Sequence, residues 1–116
     1  MNPAQPRPGA RLCALSEIAD PGAKGFVFRD GEALFMGFVV RREGEVFGYI
    51  DRCPHAGSPL EGFDGRYLTR NGDLILCAAH AALFRVGDGV CIAGPCPGMR
   101  LSLWPVRIER DAVVCA

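Results

Sequence analysis

The sequence predicts an all-β fold built from short strands. Helical periodicity is confined to one short segment, whereas runs of β-branched and aromatic residues recur along the chain. Turn residues, chiefly Gly, Asn and Asp, separate most of these runs. Several short strands at this spacing favour a β-sandwich or a small barrel.

The first half of the chain contains one helical segment and three strands. Leu15–Ala19 predicts a single helical turn, with Ser16 as its N-cap and Pro21 ending it. Arg41–Gly44 is predicted to be a hairpin turn between the second and third strands. The predicted strands are Phe26–Phe28, Ala33–Val40 and Glu45–Asp51.

The second half contains three further pairs of strands, each around a turn. Asn71-Gly72 is the residue pair best suited to a type I′ turn, and Gly87–Gly89 and Arg110-Asp111 supply the other two turns. The flanking strands are Tyr67–Arg70 and Asp73–Cys77, Leu83–Val86 and Val90–Ala93, and Trp104–Glu109 and Ala112–Cys115.

Composition indicates one soluble domain over residues 1–116, since a chain of this length has room for little more. Thirteen basic and thirteen acidic residues cancel, so nothing indicates a nucleic acid or a membrane surface as partner. Residues 1–10, rich in Pro and Ala, are predicted to be a flexible tail. With neither a secretory signal nor a membrane-spanning run, we expect a cytoplasmic protein.

Six cysteines in so short a chain raise the question of disulfides. In a reducing cytosol, metal ligation is the better explanation. Cys13 and Cys115, near the chain ends, are expected to be small buried apolar residues. A bridge between Cys91 and Cys96 is geometrically possible, and the sequence leaves that question open.

Two mixed pairs of ligand-type residues carry the chemistry of this sequence. Cys53-Pro54-His55 and Cys77-Ala78-Ala79-His80 each offer one thiolate and one imidazole, and they contain both histidines of the chain. A tetrahedral zinc site is the competing explanation, but zinc motifs more often place like ligands on one loop. Mixed pairs suit a two-iron cluster in which one iron takes both thiolates and the other both imidazoles.

These motifs resemble those of the Rieske family. Cys53–Gly57 is similar to its first box, C-x-H-x-G, and Cys77–His80 to its second, C-x-x-H. Gly94–Pro97 resembles the proline loop that covers the cluster, and the likeness extends from about Glu45 to Leu103. The resemblance implies antiparallel sheets with a loop-rich cluster-binding subdomain at about 52–99. It also implies one [2Fe–2S] cluster ligated by Cys53 and Cys77 on the inner iron and by His55 and His80 on the outer iron.

The sequence departs from the respiratory members of that family at informative positions. Ser58 and Ala79 replace the cysteines of a disulfide beside the cluster, and Ala82 and Phe84 replace a serine and a tyrosine that donate hydrogen bonds to sulfur. Fewer donors disfavour adding an electron, which predicts a low-potential cluster. Ala78 and Ala81 stand where the family often has Pro and Gly, and Ala tolerates left-handed backbone angles less well than Gly.

The resemblance implies a stand-alone Rieske-type ferredoxin, an electron carrier rather than an enzyme. Its expected donor is a flavin-containing or iron–sulfur reductase, and its expected acceptor is a ring-hydroxylating oxygenase or another terminal oxidoreductase. With both histidines used as ligands, no 2-His-1-carboxylate iron site can be assembled. The alternatives are a small subunit of a larger reductase, such as a nitrite reductase, and a zinc-stabilised interaction module.

Overall fold

Nine strands and one 3-10 turn form the part of the chain that the computed structural model describes, which is residues 2–54, 57, 59–60, 66–78 and 81–116. The 3-10 turn is Leu15–Glu17. The strands are β1 Arg11–Ala14, β2 Gly22–Asp30, β3 Ala33–Arg42, β4 Glu45–Ile50, β5 Leu74–Cys77, β6 Ala82–Arg85, β7 Cys91–Ala93, β8 Val106–Glu109 and β9 Ala112–Cys115.

All strand pairs within the described residues are antiparallel, and they form three three-stranded sheets in the orders β1-β9-β8, β2-β3-β4 and β5-β6-β7. The all-β prediction is therefore confirmed. The predicted hairpin between β3 and β4 turns at Glu43 and Gly44, whose φ angles of 54° and 79° suit a type I′ turn. Arg110 and Asp111, with φ of 49° and 63°, connect β8 to β9 in the same way.

The β3–β4 hairpin separates two buried cores. Along β3, Phe35 and Val39 face the core that contains Trp104, whereas Phe38 and Val40 face the core that contains Cys53 and Cys77. Successive side chains of a strand point to opposite faces, so one strand lines both cores. This burial on both faces explains why β3 is a nearly continuous apolar run in the sequence.

Two local predictions were wrong. The predicted helical turn is a 3-10 turn over Leu15–Glu17, but its N-cap is Ala14, whose backbone N–H donates to the Glu17 carboxylate at 2.7 Å, so Ser16 is not the cap. Asn71 lacks the positive φ that a type I′ turn requires at both central residues, although Gly72 has φ 73°. The turn between Thr69 and Asp73 is instead held by the Thr69 hydroxyl, which donates to the Asp73 carboxylate at 2.9 Å.

The other differences concern the length and the number of strands. The strand predicted at Phe26–Phe28 extends over Gly22–Asp30, and Arg11–Ala14 was not predicted as a strand. From the segment predicted as Tyr67–Arg70, a single bridge pairs Leu68 with Ile75.

The N-terminal segment, expected to be a flexible tail, makes specific contacts over residues 2–10. Ala4 is buried in the core around Trp104, and the Asn2 side-chain amide donates to the Leu34 carbonyl at 2.8 Å. The Gly9 N–H donates to the Cys115 carbonyl at 2.8 Å. These contacts attach the segment to β3 and β9. Within the described residues, no helix is long and apolar enough to cross a membrane.

Candidate metal centre

Two buried cysteines mark the candidate site. Cys53 lies just after β4 and Cys77 ends β5, and neither side chain is exposed to solvent. Both belong to one buried cluster, together with Leu60, Ala82, Phe84, Cys91 and Cys96. The structure therefore brings the two predicted thiol ligands into one core. The predicted histidine ligands His55 and His80 lie outside the described residues, as do Ser58, Phe63 and Ala79.

The same backbone bond closes both predicted ligand loops, Cys53–Gly57 and Cys77–Ala81. The Gly57 N–H donates to the Cys53 carbonyl at 2.7 Å, and the Ala81 N–H donates to the Cys77 carbonyl at 2.9 Å. In each loop three residues lie between the donor and acceptor residues, and the motif histidine is one of them. The two loops thus present their cysteines from equivalent backbone turns.

The residue that closes each loop has a left-handed backbone. Gly57 has φ 75° and Ala81 has φ 60°. Glycine adopts this conformation without steric cost, whereas alanine pays for its Cβ. The departure noted at Ala81 in the sequence is therefore a strained position, and the Ala81 N–H still donates to the Cys77 carbonyl.

A buried carboxylate joins the two loops, and the sequence did not single it out. Asp51, only 6% exposed, is the one charged side chain that is buried among the described residues. Its carboxylate accepts bonds from the Leu60 N–H at 2.7 Å and from the Tyr67 hydroxyl at 3.0 Å. The Leu60 carbonyl in turn accepts the Ala78 N–H at 3.1 Å, next to Cys77. The one available signal was a charged residue directly after the apolar residues 46–50.

The proline loop, Gly94–Pro97, packs directly on β6. Gly94 has φ 93°, and a Cβ placed there would lie 2.7 Å from the Ala82 Cα, so only glycine fits. Cys96 is buried while its neighbours Pro95 and Pro97 are exposed. The loop therefore places one thiol inward, over the same core as the candidate ligands.

The cysteines around that loop are free thiols. The Cys96 thiol donates to the Cys91 sulfur at 3.2 Å, which leaves the bridge considered from the sequence unformed. Burial raises the pKa of Cys96 to about 12, helped by the hydrogen bond to Cys91 and by the negative charges of Cys91, Cys53 and Cys77. Cys96 therefore lies within electrostatic range of both candidate thiol ligands. Cys13 and Cys115 are buried in the other core, as predicted.

The donor set fits a thiolate-ligated metal group that needs further ligands. Among the described residues, no group of three or more His, Cys, Asp or Glu side chains is placed to hold a metal ion. Two buried thiols alone leave the coordination incomplete, and soft thiolates suit iron–sulfur clusters and zinc. A metal group held by Cys53 and Cys77 thus requires further ligands beyond these two thiols.

A family model described as the Rieske [2Fe-2S] domain matches residues 10–106 of the chain. A search of curated proteins found no match.

Solved structures of ferredoxins resemble the fold over almost its whole length. The ferredoxin of Sphingomonas yanoikuyae B1 is 26% identical with a TM-score of 0.67, over 92% of this chain and 96% of that one. A chain from the complex of reduced oxygenase and oxidized ferredoxin in carbazole 1,9a-dioxygenase is 26% identical with a TM-score of 0.70. This match covers 91% of the present chain and 99% of that one. The ferredoxin of carbazole 1,9a-dioxygenase from Nocardioides aromaticivorans IC177 shares the fold at 23% identity with a TM-score of 0.73, over 95% and 98%.

Proposed function

The chain belongs to the Rieske [2Fe–2S] family, whose domain implies a [2Fe–2S] cluster, and we propose that it is an electron carrier serving a terminal oxygenase. The observation that carries this proposal is a match to a solved ferredoxin at 26% identity. The match covers 92% of this chain and 96% of that ferredoxin. A second ferredoxin-length match comes from a complex with an oxygenase, which supports an oxygenase as the acceptor.

We propose Cys53, His55, Cys77 and His80 as the cluster ligands. When bound, a [2Fe–2S] group takes up and gives back one electron. Cys53 and Cys77 are fully buried, so the two thiolates would be held away from water. Neutral imidazoles in place of two more thiolates lower the negative charge of the donor set, which eases the addition of an electron relative to four cysteines.

The proposed role is that of a carrier and not of an enzyme. His55 and His80 are the only histidines in the sequence, so their use as ligands leaves none for a mononuclear iron site of the oxygenase type. The electron donor in this proposal is a flavin-containing or iron–sulfur reductase. We also propose a reducing compartment, the cytoplasm, because none of the four cysteines outside the proposed ligand set forms a disulfide.

Two buried apolar side chains support a low reduction potential. Ala82 and Phe84 have no hydroxyl group, and both are fully buried on β6 in the same core as Cys53 and Cys77. Without a hydroxyl donor, the negative charge on sulfur in the reduced state has less hydrogen-bond stabilisation. We therefore propose a potential at the ferredoxin-like end of the Rieske range.

Restoring one hydroxyl tests that explanation. We expect Phe84→Tyr to raise the midpoint potential by about 40 mV, which corresponds to roughly 1 kcal/mol of added stabilisation of the one-electron-reduced state. Protein-film voltammetry measures the shift, and Phe35→Tyr, in the other core, is the control that should leave the potential unchanged. A wild-type midpoint in the strongly positive range of respiratory Rieske centres would contradict the low-potential proposal.

The carrier proposal is tested on anaerobically purified protein. We expect two irons and two acid-labile sulfides per chain, and a reduced EPR spectrum with the low average g-value of a Rieske centre. His80→Cys should shift or weaken that signal, and Cys115→Ser should preserve it. Stoichiometric zinc without sulfide would overturn the cluster, and loss of the cluster in Cys115→Ser would overturn the ligand set.

Carrier activity is tested separately from cluster content. The reduced protein is mixed in a stopped-flow spectrometer with an oxidised ring-hydroxylating oxygenase of the carbazole 1,9a-dioxygenase type. Reoxidation that accelerates with oxygenase concentration supports the carrier role. A protein that holds its cluster but stays tightly bound to a larger reductase, and transfers no electron to free oxygenase, would instead identify a reductase subunit.

A further inference from the structure

Two thiols outside the proposed ligand set lie side by side. Cys91 begins β7, Cys96 lies in the proline loop, and their sulfur atoms are 3.2 Å apart. Each residue is only 2% exposed, and both are free thiols. The Cys91 thiol also lies 3.1 Å from the Ala93 carbonyl. Neither cysteine is needed for the four-ligand set.

The backbone already holds this pair in a closed loop. The Cys91 N–H donates to the Met99 carbonyl at 2.7 Å, and the Cys91 carbonyl accepts the Gly98 N–H at 3.0 Å. The Met99 N–H donates to the Cys96 carbonyl at 3.1 Å. Since a disulfide bond is about 2.05 Å long, roughly 1 Å of sulfur movement separates the thiols from a bond. The backbone bonds around Cys91 and Cys96 thus hold the two thiols close to bonding distance.

The pair lies directly beneath an exposed loop. Gly94, Pro95, Pro97 and Gly98 are all exposed, and Cys96 is the buried residue among them. A surface loop of this kind opens locally far more readily than a core strand. A small reagent therefore reaches the thiols by displacement of the proline loop alone.

We propose that Cys91 and Cys96 are a redox-modification site, which a low-molecular-weight disulfide such as glutathione disulfide converts to an intrachain disulfide. When the proline loop is displaced, Cys96 is no longer buried, and one protein thiolate attacks the reagent, forming a mixed disulfide and releasing one glutathione thiolate. The second protein thiolate then attacks the mixed disulfide at the protein sulfur, forming the Cys91–Cys96 bond and releasing the second glutathione. Two electrons pass from the protein to the reagent, and the two thiol protons end on the two glutathione molecules.

The new bond would tie the proline loop to β7 above the candidate ligands. Gly94 packs on Ala82, and Cys96 is buried in the same core as Cys53 and Cys77, so the tied loop would lie beside the proposed cluster. A disulfide that closes a six-residue loop removes entropy from the opened state of that loop. We expect oxidation to slow removal of iron by a chelator by up to about 40-fold. This retention effect rests on the proposed function, whereas the thiol chemistry does not.

The wild-type sequence allows a direct assay. Cleavage after Arg85 and Arg100 yields the tryptic peptide Val86–Arg100, which contains Cys91 and Cys96 and no other cysteine. The cluster-loaded protein is equilibrated with glutathione buffers of increasing oxidised fraction, quenched in acid, alkylated and digested. We expect this peptide to change from a doubly alkylated form to an unalkylated form whose mass is lower than that of the free dithiol peptide by about 2 Da.

Controls separate this pair from the other cysteines. Cys91→Ala and Cys96→Ala should each abolish the unalkylated peptide and the slowed iron loss, while Cys13→Ala, in the other core, should retain both. A wild-type peptide that stays doubly alkylated in fully oxidised buffer overturns the proposal. So does oxidation that instead links this peptide to those containing Cys53 or Cys77. Disulfide formation in a protein whose iron and EPR signal are absent would confirm the pair and contradict the proposed cluster.

Discussion

The backbone of Ala81 carries a strain that one substitution can remove. Its φ of 60° is left-handed, like the 75° of Gly57 at the equivalent position of the other ligand loop. We expect Ala81→Gly to raise the free energy of unfolding by about 0.5–1 kcal/mol, because relief of the Cβ clash exceeds the added entropy of the unfolded chain. Urea unfolding measures the change.

Two variants control for that result. Ala78 is exposed in the same loop and has no positive φ, so Ala78→Gly should lower stability by roughly 0.5–1 kcal/mol. Gly57→Ala should lower it by about 1 kcal/mol through φ alone, since the added Cβ would meet Arg52 only at 3.5 Å. If Ala81→Gly and Ala78→Gly changed the free energy of unfolding in the same direction, the strain at Ala81 would be refuted.

Asp51 connects the two ligand loops through a single buried carboxylate. We expect Asp51→Ala to lower the free energy of unfolding by about 2–3 kcal/mol, because it leaves the buried Leu60 N–H without its acceptor and removes the bond that Asp51 accepts from the Tyr67 hydroxyl. The same variant should lose iron to a chelator faster than wild type. Asp73→Ala, which removes an exposed carboxylate bonded to Thr69, should change either quantity little.

At the scale of a structural element, the packing of the proline loop depends on the close approach of Gly94 to β6. Gly94 and Gly98 both have positive φ, but only at Gly94 would a Cβ meet another part of the chain, the Ala82 backbone at 2.7 Å. We expect Gly98→Ala to cost about 1 kcal/mol and Gly94→Ala about 2–4 kcal/mol, the difference reflecting overpacking. Gly94→Ala should also accelerate iron loss, and equal effects of the two variants would contradict the packing of this loop.

Hairpins were predictable from local chemistry, and isolated strands were not. Turn residues such as Glu43-Gly44 and Arg110-Asp111 act within a few residues, so the sequence indicated β3–β4 and β8–β9 closely. The full length of β2 was missed because Gly22 and Gly25 weaken a strand pattern. The role of Gly25 is tertiary, since Tyr67 packs over it where a Cβ would collide with the Tyr67 hydroxyl.

In the candidate site, too, local features were predictable from the sequence and tertiary features were not. Cys53 and Cys77 could be identified because ligand spacing is a local property of the sequence. The link from Asp51 through Leu60 to Ala78 could not, because it joins residues from separate segments and depends on backbone groups that every residue possesses.

For the whole molecule, a buried tyrosine predicts weakening in alkali. The Tyr49 hydroxyl donates to the Val86 carbonyl, and burial, aided by the negative charge of Asp88, raises the pKa of Tyr49 from 10.0 to about 12. Its contribution to stability is therefore complete below pH 10 and is lost as the pH rises toward 12. In that window the free energy of unfolding should fall by up to about 1.4 kcal/mol per pH unit from this residue.

Tyr49→Phe isolates that contribution. The variant should lose about 1 kcal/mol at neutral pH, because the Val86 carbonyl loses its donor, but its stability should decline less steeply between pH 10 and 12. Cys13 and Cys115, whose pKa values burial also raises, are present in both proteins and cancel in the comparison. Parallel pH curves from urea unfolding would contradict the assignment to Tyr49.

Because β3 lines both cores, packing on its two faces also limits the registers in which it can pair with its neighbours. Gly37 lies against Trp104, where an added Cβ would approach the indole ring to 2.5 Å, and Phe38 lies on the opposite face, stacked on Tyr67. A slip of one residue would turn Phe38 toward the indole and Gly37 toward the other core. The misregistered hairpin would overfill one core and leave a void in the other. Both cores therefore select the correct register of β3, and packing in either core disfavours the slipped pairing.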